Sequence, residues 1–238
     1  MIFQNQHPDV EVPDISLPRF VLQHAQRRGK KAALVDGLSG RVITYSQLYQ
    51  RVRHTAKSLT QRGYRKGDVF TIYSPNLPEY AVAFHAVATI GGVIATINPL
   101  CTAQELENHL AGAQAKCVIT TSHFVEKLHR VESRTQVRDV FTFDQTGNAT
   151  PFAELYECVM ETNEAPTNGL INPHEDLIVR ACSRGNTEGA KLTHFRFVAD
   201  LCQAALLDPL AAGDVFIAAA PLYHADGMFL LSAFEGWQ

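Results

Sequence analysis

Hydrophobic and polar positions follow two different periods along the chain. Apolar residues recur every three or four positions between Ser46 and Gly63, which predicts a helix with one buried face. That face consists of Leu48, Val52, Ala56 and Leu59. Residues 1–16 are marked by prolines and are predicted to be an extended arm, followed by a helix over residues 17–29. The two β-rich runs around DGLSG predict a hairpin.

From residue 68 onward, short Val- and Ile-rich runs alternate with helical segments. The predicted strands cover residues 68–74, 92–98, 116–121, 138–144, 175–182 and 214–221, and the main helices cover 76–91, 102–114 and 193–207. Thr102 is a candidate cap of the helix that follows it, with Glu105 at the capping-box position. Strands without polar alternation are typical of parallel sheets that are covered on both sides. The predicted class is therefore α/β, with a mostly parallel sheet and helices on both faces.

Composition narrows the classes of partner and site. The 238 residues are 46% hydrophobic and carry a net charge of −3, which argues against nucleic acid or an anionic membrane as partner. No apolar run reaches the roughly 18 residues that span a bilayer. The five cysteines are widely spaced and form no CxxC or zinc pattern, so we predict no metal held by these residues. Reduced thiols of this kind indicate a cytoplasmic protein.

Two loops that follow predicted strands are candidates for ligand binding, because ligands of parallel sheets lie beyond the carboxyl ends of the strands. The first is CSRGNTEGAKLTH, residues 182–194. Its glycine and hydroxyl residues, placed before a helix, are typical of loops that bind phosphate. The candidate phosphate-binding residues are Ser183, Gly185, Thr187, Gly189 and Lys191. Three residues separate Gly185 and Gly189, where a Walker A loop has four, so a plain connecting loop remains an alternative.

The second loop is APLYHADGM, residues 220–228, and it places His224 and Asp226 beside Tyr223. A histidine two residues from an aspartate is also common in ordinary turns. The chain has no GxSxG motif, so a hydrolase triad would have no nucleophile there. These residues alone therefore do not identify a reaction.

Several motifs occur together in one order that resembles a known family. SPNLPEY, TINPLCTAQEL and APLYHADGM, within a stretch from about Pro13 to Phe234, are similar to the N-terminal part of the adenylate-forming superfamily, in the branch of coumarate–CoA ligases and related acyl-CoA synthetases. The resemblance implies that a small carboxylic acid reacts with ATP to give an acyl-adenylate. Coenzyme A then displaces AMP to give a thioester, and Mg usually assists. It also implies that residues 17–238 form a partial AMP-binding domain.

The resemblance assigns roles to single residues in both loops. On the family's phosphate-loop pattern the matching residues are Ser183, Gly185, Thr187, Lys191 and Thr193, followed by His194. The loop is three residues shorter than the pattern, and Glu188 stands in place of a glycine. A side chain there loses access to positive φ and brings a carboxylate close to polyphosphate. We therefore expect weakened or lost binding of the β- and γ-phosphates.

In the second loop, Tyr223, His224 and Gly227 match the family's acyl pocket, and His224 is the candidate closest to catalysis. The family's ribose-binding segments and its C-terminal catalytic lysine lie beyond the matched part. We therefore expect this chain alone to make no thioester, and we expect self-association through apolar residues such as 228–234. Three hypotheses remain: part of an acyl- or aryl-CoA ligase, a non-catalytic relative that binds a ligand or a protein, and a product with no selected role. The sequence does not identify the acid.

Overall fold

A computed structural model of the chain describes residues 9–144, 149–157, 171–181, 190–207 and 214–236. The predicted hairpin is present, with β1 (Ala32–Val35) antiparallel to β2 (Val42–Thr44). The helix that follows, α3 (Tyr45–Gln61), buries the face predicted from its apolar spacing. Its first turn is closed by a capping box between Thr44 and Gln47.

The segment predicted as one helix over residues 17–29 forms two short helices instead. They are α1 (Leu17–Leu22) and α2 (Ala25–Arg28). Residues 23 and 24 form a turn between the two helices, with His24 at φ −104° and ψ −5°. Periodicity alone missed this break because the apolar spacing continues across it.

Within the described ranges, the central sheet has seven strands in the order β7-β6-β5-β3-β4-β8-β9. Their bounds are β3 (Val69–Tyr73), β4 (Val93–Thr96), β5 (Cys117–Thr120), β6 (Asp139–Thr142), β7 (Thr150–Pro151), β8 (Leu177–Ala181) and β9 (Lys191–Thr193). Neighbouring strands are parallel except β8 and β9, which are antiparallel. The chain first places β4 on one side of β3. It then adds β5, β6 and β7 on the other side, and it returns to the first side at β8. The strand order therefore reverses beside β3 and β4, and such a reversal is where open α/β sheets bind ligands.

Helices cover both faces of the sheet, as the sequence predicted. The helices along the chain are α4 (Glu79–Thr89), α5 (Ala103–Ala113), α6 (Ser122–His129), α7 (Glu154–Glu157), α8 (His194–Leu207) and α9 (Ala225–Gly236). One face packs Phe70 and Ile72 of β3 against α1, α3 and α4. The other face packs Tyr73 and Val118 against α5 and α6. The predicted capping box of α5, between Thr102 and Glu105, is also confirmed.

Every residue of α4 is buried, including the carboxylate of Glu79 in its first turn. Arg41, from the hairpin, donates two hydrogen bonds to this carboxylate over 2.5 and 2.8 Å. Paired N–H donors in this fork geometry are the strongest partners a carboxylate finds in proteins. The ion pair therefore fastens the hairpin to the helix that lies against the centre of the sheet.

The predicted strand over residues 214–221 is wrong, because residues 214–219 form no strand in the structure. A strand needs a neighbour to supply its hydrogen bonds, and β9, which the sequence did not predict, takes the position beside β8. Val215 and Ile217 are consequently exposed, at 89% and 84%. Met228 and Leu231, by contrast, are buried, so these two residues of the predicted apolar run are not exposed. Self-association itself stays a prediction.

Candidate functional site

The first candidate loop leaves the sheet between β8 and β9. Residues 182–189 lie outside the described residues, so the roles of Ser183, Gly185 and Thr187 stay predictions. The strands on either side fix where this loop begins and ends, because Arg180 of β8 is the cross-strand partner of Lys191 of β9. Lys191 is exposed and lies at the carboxyl end of β8, as a residue near a phosphate would.

Thr193 and His194 follow Lys191 and join the loop to α8. The hydroxyl of Thr193 accepts a hydrogen bond from the backbone N–H of Arg196 over 3.2 Å and so caps α8. The proposed contact of Thr193 with phosphate remains a prediction. His194 is fully buried, and its Nδ1 accepts a hydrogen bond from the backbone N–H of Leu17 over 3.3 Å. Burial lowers the pKa of His194 to about 4, so the ring is neutral near pH 7 and joins α8 to the start of α1.

The second candidate loop turns tightly and runs straight into α9. The backbone N–H of His224 donates to the carbonyl of Pro221 over 3.0 Å, and the N–H of Met228 donates to the carbonyl of His224 over 3.0 Å. The side chain of His224 is 65% exposed, and its Nδ1 lies 3.4 Å from Oδ2 of Asp226. With Nδ1 facing Asp226, Nε2 is the ring nitrogen left for a ligand oxygen.

Gly227 is required by close packing inside this loop. A Cβ atom there would lie 2.1 Å from the carbonyl oxygen of Pro221 and 2.7 Å from Cα of Leu222. Both neighbours are backbone atoms, so no side-chain movement could relieve the contact. The glycine therefore allows the first turn of α9 to pack directly against the turn that carries His224.

Asn76, which the sequence analysis did not assign to the site, holds the second loop against the sheet. It follows β3, and its Nδ2 donates to the carbonyls of Ala218 and Ala220 over 3.2 and 2.9 Å. Its Oδ1 accepts from the backbone N–H of Leu222 over 2.8 Å. The only signal in the sequence is an asparagine just after a buried strand, a place where side chains often bond to backbone.

Thr96, the last residue of β4, makes a second attachment to the same loop. Its hydroxyl donates to the carbonyl of Tyr223 over 2.7 Å. The first loop leaves β8, the neighbour of β4, and the second loop is attached at the carboxyl ends of β3 and β4, so both candidate loops lie at one edge of the sheet. The structure therefore brings the predicted acyl-pocket residues to the carboxyl ends of the strands, beside the strands that bound the predicted phosphate loop.

Across the described ranges, no group of three or more His, Cys, Asp or Glu side chains lies close enough to hold a metal ion. The structure therefore assigns no residue to Mg. None of the helices in these ranges is both long and apolar enough to cross a bilayer.

The chain as a whole matches one family of known proteins. A family model described as "AMP-binding enzyme" matches residues 21–236. The chain belongs to the AMP-binding enzyme family. The resemblance predicted from the motifs is thereby confirmed at the level of the family.

Two relatives with known names are longer than this chain. A 4-coumarate–CoA ligase from Petroselinum crispum is 28% identical over 232 residues, which cover 94% of this chain and 42% of the relative. A 4-coumarate–CoA ligase from Arabidopsis thaliana is 29% identical, with the same shares covered. The chain thus spans less than half the length of these relatives and corresponds to their N-terminal portion.

Solved structures of this family share the fold. A long-chain-fatty-acid-CoA ligase from Archaeoglobus fulgidus superposes with a TM-score of 0.87 at 23% identity, covering 99% of this chain and 48% of that one. An anthranilate CoA ligase in complex with anthranoyl-AMP gives a TM-score of 0.81 at 19% identity, covering 95% and 44%. The AMP-binding enzyme described here therefore has the N-terminal architecture of acyl-CoA synthetases.

Proposed function

We propose that this chain forms the carboxylate- and phosphate-binding part of an acid–CoA ligase of the adenylate-forming type. The substrates would be a small carboxylic acid, ATP and coenzyme A, as the family implies. The observation that supports this most is the attachment of the His224 loop to the sheet edge by Asn76 and Thr96. Both side chains form hydrogen bonds to backbone groups of the loop. These contacts therefore do not depend on which side chains the loop carries.

The chemistry at this edge is attack of the carboxylate on the α-phosphorus of ATP. A carboxylate oxygen forms a bond to phosphorus, the bond between the α-phosphorus and the bridging oxygen breaks, and pyrophosphate leaves. In this proposal both ring nitrogens of His224 carry hydrogen, so that Nδ1 faces Asp226 and Nε2 donates to the acid, and the positive end of α9, which begins at the next residue, favours the acid's negative charge. Gly227 keeps that helix end close to the loop.

For the phosphate loop we propose binding that is present but weakened. Glu188 adds a carboxylate in the sequence where the family pattern has a glycine, and the loop is shorter by three residues. Repulsion between this carboxylate and a triphosphate would lower affinity. The same departures favour the second candidate, a non-catalytic relative that binds an acid but does not activate it. Thioester formation would also draw on parts of the relatives beyond the matched region, so we expect none from these 238 residues.

Acid-dependent exchange of labelled pyrophosphate into ATP separates the two candidates. With the full chain, a panel of aryl and fatty acids and Mg, the ligase proposal predicts slow exchange that rises in a Glu188→Gly variant. A Glu132→Gln variant, which removes a partly exposed carboxylate that contacts His129, serves as the charge control. Exchange that stays at the acid-free background in both the wild type and Glu188→Gly would reject the ligase proposal and favour the non-catalytic one.

A further inference from the structure

Arg180 and Lys191 form a pair of cations at the base of the first loop. They are directly opposite each other in the antiparallel ladder of β8 and β9. Cross-strand partners project from the same face of a sheet, with Cα atoms about 5 Å apart. The two positive side chains therefore lie side by side where residues 182–189 leave and re-enter the sheet.

The described part of the protein offers no carboxylate partner to either cation. Within the described ranges, no carboxylate lies at ion-pair distance from Arg180 or Lys191. Nε of Arg180 is buried and has no hydrogen-bond acceptor in this part of the structure. Its neighbour on the other side is Ala95 of β4, which is buried and offers no polar side chain.

This arrangement costs stability when nothing binds to it. Like charges placed directly opposite in a ladder destabilise the strand pair, and a buried N–H without an acceptor loses its hydrogen bond to water. A bound anion would remove both costs, because it would lie between the two cations and supply acceptors for the guanidinium. The two cations are therefore more stable with a bound anion than in β8 and β9 alone.

We propose that Arg180 binds phosphate together with Lys191, as a two-cation site for a di- or triphosphate group. A guanidinium offers paired N–H donors that fit two phosphate oxygens, and an ammonium adds a compact charge beside it. Two adjacent cations match a multiply charged anion better than a single carboxylate. This inference rests on the proposed function, and it adds a binding residue that the phosphate-loop motif does not contain.

The test is calorimetric titration of the full chain with inorganic tripolyphosphate, pyrophosphate and ATP at low ionic strength. The variants are Arg180→Met, Lys191→Met and the conservative Arg180→Lys. Arg130→Met is the matched control, because it removes a cation on the exposed surface of α6, where Arg130 pairs with Glu126. We expect saturable binding of tripolyphosphate to the wild type, about tenfold weaker binding to either methionine variant, partial recovery in Arg180→Lys, and little change in Arg130→Met.

Thermal unfolding distinguishes a binding role from a structural one. Without added anion, Arg180→Met should melt no lower than the wild type, because the substitution removes the repulsion with Lys191. Tripolyphosphate should raise the melting temperature of the wild type and should not raise that of Arg180→Met. A melting temperature that falls in Arg180→Met without anion would show a structural role and overturn the proposal.

The ligand series also separates this proposal from the proposed function. Tripolyphosphate that fails to bind the wild type, or binds Arg180→Met equally well, overturns the two-cation site. ATP binding that is unchanged in Arg180→Met overturns the site and leaves the ligase proposal standing. Displacement of tripolyphosphate by pyrophosphate but not by ATP supports the site for free pyrophosphate and counts against ATP as the ligand.

Discussion

The side-chain amide of Asn76 accepts a hydrogen bond from the backbone N–H of Leu222 over 2.8 Å. The same amide donates to two carbonyls of the preceding segment, so one side chain after β3 satisfies three backbone groups of a distant loop. That loop leads to His224, and α9 begins at the next residue. The position of the proposed acid-binding residue therefore depends on a contact between parts of the chain more than a hundred positions apart.

Replacing Asn76 by aspartate should release this loop. The substitution keeps the shape, removes both N–H donors, and places a negative charge beside two carbonyl oxygens. We expect a loss of about 1 kcal/mol in the free energy of unfolding, because the site is partly solvated. Hydrogen exchange at the amide of Leu222 should become faster, and urea unfolding should give the stability change.

Asn108→Asp is the matched control for this variant. Asn108 lies on the exposed face of α5, where its Oδ1 accepts a hydrogen bond from Gln104 over 3.2 Å, and aspartate keeps that acceptor. It should change neither stability nor exchange in residues 218–224. Equal exchange at Leu222 in the wild type and Asn76→Asp would show that the amide does not hold the loop.

A Gly227→Ala substitution should push α9 away from the turn that carries His224. The added Cβ would lie 2.1 Å from a backbone carbonyl oxygen, so the backbone itself must move. We expect a destabilisation of about 1–3 kcal/mol, measured by urea unfolding. Gly37→Ala is the control, because a Cβ at Gly37 meets nothing within 4 Å. If both substitutions had the same small effect, the close approach at Gly227 would not be a constraint on the fold.

The free energy of unfolding should decrease as the pH is lowered, because His194 is buried. Its pKa is about 4 in the native state and 6.5 in the unfolded chain, so the native state holds the ring neutral. Above pH 6.5 neither state binds the proton and stability is unaffected. As the pH falls from 6.5 to about 4, the unfolded chain takes up the proton first, at a cost to the native state of about 1.4 kcal/mol per pH unit and about 3 kcal/mol in all.

A His194→Asn variant tests this assignment. The Asn side chain keeps an acceptor for the backbone N–H of Leu17 and does not titrate. Its free energy of unfolding should therefore vary less between pH 6.5 and 4 than that of the wild type, by the amount given above. Parallel pH profiles for the two proteins would exclude His194 as the titrating group.

Local patterns in the sequence predicted the elements that depend on local chemistry. The capping box of Thr102 and Glu105 forms as expected, because its side chains act on neighbours in the chain. The Val- and Ile-rich strands before residue 144 also form, each with a partner strand beside it. The strand predicted over residues 214–221 failed for the opposite reason. Its apolar composition is local, whereas a strand partner is supplied by distant residues.

The candidate site also has parts that the sequence predicted and parts that it did not. The motif around His224 was recognisable in sequence, and the structure places it at the carboxyl edge of the sheet. The role of Asn76 could not be predicted, because it depends on a fold that brings residue 76 to residues 218–222. The pairing of Arg180 with Lys191 also required the ladder register, since β9 was not predicted.

The central claim is that the loop carrying His224 binds the carboxylate of an organic acid, and calorimetric titration with acids and their amides tests it most directly. A panel of cinnamic, benzoic and fatty acids would be titrated against the full chain, its His224→Ala variant, and a His129→Ala control on the exposed end of α6. The account predicts saturable binding of at least one acid, much weaker binding of the corresponding amide, and about a tenfold loss of acid affinity in His224→Ala only. Amides that bind as tightly as the acids, or acid binding that is unchanged in His224→Ala, would contradict it.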